Sequence, residues 1–230
     1  MTDERVLWIT GASAGIGAAT ARLAAASGWR LVLAARSLDK LTALADELGG
    51  PERAIAVECD VTSWEDQQAA LTVALEHFGR LDAAWANAGF GGERSFLGGT
   101  PEQWRDMVLT NVYGAALTIR ASLPALKESQ GHLLLTGSAA GRRHVPGSLY
   151  SATKHAVHAM AESARQQLNG TGVRVTVVAP GMTDTAFFAQ KPMEAPLEAE
   201  DVARAVLYAL EQPPHVDINE ILVRPTAQEF

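Results

Sequence analysis

Short apolar runs rich in β-favouring residues alternate with longer stretches of helical period along the whole chain. The strand candidates are residues 6–10, 30–35, 54–58, 81–86, 132–137, 173–178 and 218–223. Between them lie Ala-, Leu- and Glu-rich stretches such as 17–27, 38–48 and 64–78. This alternation predicts βαβ units, with about seven strands in a doubly wound parallel sheet covered by helices on both faces. The strands agree, since Leu31-Val32-Leu33-Ala34-Ala35 is apolar without interruption, as a strand covered on both sides must be. No Ser/Pro-rich linker, charge block or internal repeat divides the chain. A single α/β domain of Rossmann type over residues 1–230 is the expected architecture.

Two segments break the rhythm. Residues 90–100 carry four glycines (FGGERSFLGGT), and 181–197 carry Met182, Phe187, Phe188 and Met193 with two prolines. Both follow a strand at its carboxyl end, where open parallel sheets bind ligands. Together with 140–149 they are predicted to wall the substrate pocket as loops 90–99, 140–149 and 182–197.

Composition narrows the function classes. The chain has 230 residues, 47% hydrophobic and 20% charged, with 19 Lys+Arg against 26 Asp+Glu for a net charge of −7. An acidic chain without a basic stripe is a poor binder of nucleic acid. The start, Met1-Thr2-Asp3-Glu4-Arg5, has acids where a signal peptide would be basic, and no apolar run reaches the ~18 residues of a membrane span. A single cysteine, Cys59, cannot form an intrachain disulfide. A cytoplasmic protein with no membrane or nucleic-acid partner is expected. His155 and His158 lack any accompanying metal-binding pattern, and no metal is expected.

Chemistry enters at five places along the chain. Thr10-Gly11-Ala12-Ser13-Ala14-Gly15-Ile16-Gly17 joins the first strand to the first helix. Glycines there let the backbone turn tightly beside a pyrophosphate, while free N–H groups of the helix start face its charge. The second strand ends Ala34-Ala35-Arg36-Ser37. An acid at that point would favour the ribose hydroxyl of NAD; Arg36 instead suits the 2′-phosphate of NADP. Tyr150 and Lys154 are four residues apart and share one helix face, so the ammonium is expected to lower the tyrosine pKa and make it a general acid or base. Ser138, at the end of the fifth strand, sits at the same edge and could hold a carbonyl oxygen. Arg142-Arg143-His144 follows it, open to two readings: a substrate carboxylate contact or solvated loop charge.

These residues together resemble the short-chain dehydrogenase/reductase family over nearly the whole chain. The family's TGxxxGIG is met by residues 10–17, its NNAG by Ala86-Asn87-Ala88-Gly89 with alanine in first place, its helix asparagine by Asn111, its serine by Ser138, its YxxxK by Tyr150 and Lys154, and its PG by Pro180-Gly181. The resemblance implies hydride transfer between NADP(H) and a carbonyl or alcohol, with Tyr150 exchanging the proton and Ser138 binding the oxygen. Lys154 would bind the nicotinamide ribose and tune Tyr150, and Asn111 would hold a proton-relay water. Gly11, Ser13, Ala14, Gly15, Ile16 and Gly17 would cradle the pyrophosphate. Asp60 and Val61 would flank adenine, and Asn87, Ala88 and Gly89 would line the adenosine side. Pro180, Gly181, Thr183 and Thr185 would contact the nicotinamide. Ala14 stands where some NADP-using members have a basic residue, leaving Arg36 to carry the phosphate preference. A small carbonyl or alcohol substrate and a homodimer or homotetramer are implied. The alternatives are a non-catalytic NADP-binding sensor or partner-binding protein on this fold, and a 3-oxoacyl reductase acting on an acyl carrier protein.

Overall fold

The computed structural model describes residues 4–188 and 190–229. Strands β1 (Val6–Thr10), β2 (Arg30–Ala35), β3 (Ala54–Glu58), β4 (Ala83–Ala86), β5 (His132–Thr136), β6 (Arg174–Pro180) and β7 (Glu220–Val223) form one sheet in the order β3-β2-β1-β4-β5-β6-β7. Every pair is parallel. The intervening helices are α1 (Gly15–Ala26), α2 (Leu38–Glu47), α3 (Trp64–Phe78), α4 (Pro101–Val108), α5 (Ala115–Ser129), α6 (Leu149–Gln167) and α7 (Ala199–Leu210).

The side-chain period of two divides the interior into two layers. Val6, Trp8, Leu133, Leu135, Val175 and Val177 face α3, α5 and α6, while Leu7, Ile9, Leu31, Leu33 and Leu134 face α1, α2 and α7. Small residues on the helices, such as Ala18, Ala21 and Ala24 of α1, let them lie close on the sheet. Helix starts carry local signals: Ser63 caps α3, and Thr100 with Gln103 forms a capping box around Pro101 at the start of α4.

Five strand ends differ from expectation: β6 runs over 174–180 and not 173–178, carried on by the pairing of Ala179 and Pro180 with Leu222 and Val223, and β4, β5 and β7 each differ at one end. β4 begins at residue 83 and not 81, because the Asp82 carboxylate accepts the Val6 N–H at 2.9 Å in place of a ladder carbonyl. β5 stops at Thr136, one residue short of Gly137. β7 begins at 220 because residues 218 and 219 pair through single carbonyls, Ile218 accepting the Thr176 hydroxyl and Asn219 the Val177 N–H. A feature without any sequence signal is a π-helical segment, Leu109–Gly114, that joins α4 to α5. Such wide turns often mark functional sites; this one carries Asn111.

Strand order reverses between β1, which leads outward to β2 and β3, and β4, which leads to β5, β6 and β7. The crevice at the carboxyl ends of β1 and β4 is therefore where a dinucleotide fits this architecture.

Candidate active site

At this crevice the chain turns from β1 into α1. Gly11 and Gly15 adopt φ of 67° and 53°, which side-chain-bearing residues resist. A Cβ at Gly11 would lie 2.9 Å from the Ala88 Cα, and one at Gly17 would press on the Gly11 carbonyl. The turn is thus packed tightly against the end of β4. Helix α1 starts with no side-chain cap and no acid in its first turn, leaving its amides and positive end open to an anion. Asn87 locks the arrangement: its Nδ2 donates to the Thr10 and Gly11 carbonyls at 3.0 and 3.3 Å, and its Oδ1 accepts the Thr136 hydroxyl at 3.1 Å. Its amide is spent within the protein, so its part is to hold the turn.

One cavity of about 980 Å³ opens here. Gly11, Ser13, Ala14, Gly15, Ile16 and Gly17 form its floor, Arg36, Asp60 and Val61 one end, and Asn87, Ala88 and Gly89 the wall toward Ser138, Tyr150 and Lys154. Pro180, Gly181, Thr183 and Thr185 close the far side. At the Arg36 end, burial works to raise the Asp60 carboxyl, but the Thr62 N–H and hydroxyl and the Arg36 charge outweigh it and hold it below its ordinary range. Ser37, missed from sequence, also lines this end and starts α2 with its side chain uninvolved in capping. Uncapped helix amides, a guanidinium and the Ser37 hydroxyl at this end fit a nicotinamide dinucleotide.

At the other end Lys154, 4% exposed, donates to the Thr136 carbonyl at 2.7 Å. Its Nζ stands 5.7 Å from the Tyr150 ring centre. Burial pushes the Lys154 pKa down to about 8. The expected lowering of Tyr150 is not what the protein alone produces: burial pushes the phenol up to about 12, and only the Ser138 side chain works against it. Ser138 is oriented by the Ala140 N–H, which donates to its Oγ at 3.1 Å.

Asn111 stands just behind Gly89 and Lys154: a Cβ on Gly89 would lie 3.0 Å from the Asn111 Oδ1 and 3.5 Å from the Lys154 Nζ. It is 1% exposed and sits behind the cavity wall, where Oδ1 accepts the Phe90 N–H at 3.0 Å and Nδ2 donates to the Phe90 carbonyl and Thr153 Oγ1 at 2.9 and 3.1 Å. Both its donors are committed, so its side chain pins the 90–99 loop to α6. His158, dismissed as a ligand from sequence, wedges against the two glycines around Ser138: a Cβ at Gly137 would meet its Nε2 at 2.5 Å and one at Gly141 its Cδ2 at 2.7 Å. Burial first, then the Arg142 charge, pushes its pKa down to about 4, so a neutral ring props the serine turn.

The 182–197 segment is a lid closed at its base, where Leu197 accepts the Asp184 N–H and donates to the Met182 carbonyl. Gln228 fixes the same point by accepting the Met182 N–H at 2.9 Å. Thr185 rests 3.4 Å from the position of a Cβ on Gly15, and Phe187 reaches the Tyr150 ring at 5.4 Å between centres. Among the described residues no three His, Cys, Asp or Glu side chains gather as metal ligands, and no helix is long and apolar enough to cross a membrane.

Comparison with known proteins agrees with this geometry. The short chain dehydrogenase family model matches residues 5–195. An uncharacterized oxidoreductase of Staphylococcus aureus is 39% identical, covering 96% of this chain and 97% of its own. An alcohol dehydrogenase from Thermococcus sibiricus, solved with 5-hydroxy-NADP, superposes with a TM-score of 0.91 at 33% identity over 99% of both chains. A 3-ketoacyl-(acyl-carrier-protein) reductase from Brucella melitensis, solved with NADH, gives 0.89 at 28% identity over 96% of both. A glycine turn at the sheet's switch point, a Tyr-Lys pair beside a strand-end serine and similarity along almost the full length lead to one conclusion: this chain is an oxidoreductase of the short-chain dehydrogenase family.

Proposed function

We propose that the protein is an NADP(H)-dependent oxidoreductase interconverting a carbonyl and a primary or secondary alcohol, with Tyr150 as general acid/base. The observation that carries this reading is the single cavity running from Arg36, past the glycine turn, to Ser138 and Tyr150. The nicotinamide group, when bound, supplies or accepts the hydride. The chain's residues do the rest. Gly11 to Gly17 and the α1 amides hold the pyrophosphate. Arg36 takes the 2′-phosphate and Asp60 and Val61 flank the adenine. Lys154 holds the nicotinamide ribose while Pro180, Gly181, Thr183 and Thr185 fix the ring. Ser138 donates to the substrate oxygen as Tyr150 gives it a proton in reduction or removes one in oxidation. Asn111 keeps the 90–99 loop and α6 in register around the relay that returns a proton to Tyr150.

The test is loss of NADPH absorbance against a panel of ketones and aldehydes. NADPH that binds but is never oxidised would favour the sensor reading. Replacing Arg36 with leucine is expected to lower kcat/KM for NADPH about 10- to 100-fold, the worth of one charge-assisted contact, and to leave NADH within a few-fold. Equal loss with both cofactors would remove the NADP assignment.

A homodimer or homotetramer is proposed from Val108, Leu109 and Tyr113, exposed apolar positions along α4 and the π-helical segment. Size-exclusion chromatography at micromolar concentration should give a multiple of the 24.4 kDa chain, and a monomer would overturn it. The one thiol, Cys59, is buried and pushed up to about 12 by that burial and by Asp66 and Asp60, an inert group suited to the cytoplasm.

A further inference from the structure

Gly91 has no backbone reason to be glycine, since its φ lies outside the left-handed region that Gly11 and Gly15 occupy. Its reason is steric. A Cβ at Gly91 would lie 2.6, 2.9 and 3.5 Å from Cζ, Cε1 and Cε2 of Phe187, so the three nearest atoms all belong to one ring, carried by the 182–197 lid. The platform on either side of Gly91 is fixed. Phe90 is held through both its N–H and its carbonyl by Asn111, at 3.0 and 2.9 Å. A Cβ at Gly92 would lie 2.6 Å from the Cε of Met107, itself 2% exposed on α4.

The Phe187 ring is held from other sides as well. Its N–H donates to the Thr185 hydroxyl at 3.3 Å. The Phe188 ring stands 5.0 Å from it at 68° and the Tyr150 ring 5.4 Å from it at 63°, both edge contacts. Phe187 therefore bridges the 90–99 loop and the proposed proton donor. It is nevertheless 41% exposed, and it lines the cavity with Phe90 and Phe188. A large apolar side chain fixed in place with so much open surface has area for a ligand to cover.

Resting on the oxidoreductase reading above, we infer that Phe187 is a specificity-determining residue and Gly91 the positioning residue that seats it: the ring bounds the substrate site beside Tyr150, so that the reacting carbonyl carries one slim substituent, as in a methyl ketone. With the carbonyl oxygen held at Ser138 and Tyr150, a substituent on the carbonyl carbon that points toward the lid meets this ring. An apolar wall discriminates by fit, a mismatched carbon being worth about 10- to 200-fold.

The experiment measures kcat/KM with NADPH for two ketone pairs that differ in the width of one substituent: acetophenone against isobutyrophenone, and hexan-2-one against 2-methylheptan-3-one. The slim ketone of each pair is expected to lead at least tenfold, and Phe187→Ala should raise the wide-to-slim ratio about 10- to 200-fold. In Gly91→Ala the new methyl takes the seat of the ring. With Tyr150 and Phe188 already in contact, the ring gives way on its exposed side, and the ratio should rise several-fold. In the Phe187→Ala background the same Gly91→Ala change should leave the ratio where it is, because no ring remains to displace. The ratio is insensitive to a misfolded fraction, which lowers both ketones alike. Wide and slim ketones reduced equally, a ratio unmoved by Phe187→Ala or by Gly91→Ala, or a Gly91→Ala effect that persists without the ring overturns the inference. Reduction of other carbonyls but none of these ketones overturns it while leaving the oxidoreductase reading standing. NADPH binding with no carbonyl reduced at all removes both.

Discussion

Phenylalanine in place of Tyr150 is expected to cut turnover about 10²- to 10⁴-fold in both directions while NADPH affinity stays within a few-fold. The substitution removes only the hydroxyl; the ring that packs on Phe187 remains, so the pocket keeps its shape. The pH profile gives a second readout. Burial holds the phenol protonated through the neutral range, which suits it to donate a proton during carbonyl reduction. Alcohol oxidation needs the phenolate instead, and its fraction grows tenfold for each pH unit below the pKa. Oxidation in the unmodified protein should therefore climb with pH across the neutral range, and the residual activity of Tyr150→Phe should not. A variant that kept full activity would remove Tyr150 from the mechanism.

Alanine at Gly17 should damage both stability and cofactor binding, although helix propensity points the other way. Gly17 lies in the first turn of α1, where alanine would ordinarily gain up to ~1 kcal/mol. Here the added Cβ meets the Gly11 carbonyl and Ala12 Cα, and backbone atoms at a buried turn have nowhere to move. Overpacking of this kind costs about 1 to 3 kcal/mol, or more where backbone is the obstacle. The steric cost wins. Thermal denaturation should show Tm lowered by roughly 4 to 10 °C, and NADPH titration should show affinity reduced more than about tenfold, since the displaced carbonyl belongs to the phosphate turn. Unchanged Tm and NADPH affinity would mean that the turn is looser than its packing indicates.

The apolar runs of β1 and β2 made those strands legible to the residue, because both are buried along almost their whole length, and the half-buried edge strand β3 was legible between its flanking turn and Glu58. The ends of β4 and β7 were not, since an Asp82 carboxylate and two isolated carbonyls do work that regular pairing would otherwise do. The glycine turn was readable because its residue types answer a local geometric demand. Side-chain partners set by distant segments were not readable. Tyrosine and lysine spacing shows a shared helix face, but not that Lys154 turns to the Thr136 carbonyl while burial governs the phenol. Nor does the sequence show that Arg142 turns to the Glu220 carboxylate, which arrives 78 residues later.

The π-helical turn under Asn111 also sets a rule for changes in chain length. Between Pro101 and Ser129 the backbone coils without a break, and one stretch, Leu109–Gly114, is wound wider than the rest. A residue removed from that stretch is absorbed, because the wide turn closes to ordinary pitch with its flanks nearly aligned, whereas one removed from the regular turns of α4 or α5 swings one flank about 100° relative to the other. Asn111 would leave Phe90 and Thr153, and the small residues of α5 would turn away from the sheet. In the regular turns of α4 and α5 a single codon gained or lost would misalign the site and the core together, and the wide stretch between them is the one place along this helix where a lost residue leaves both in register.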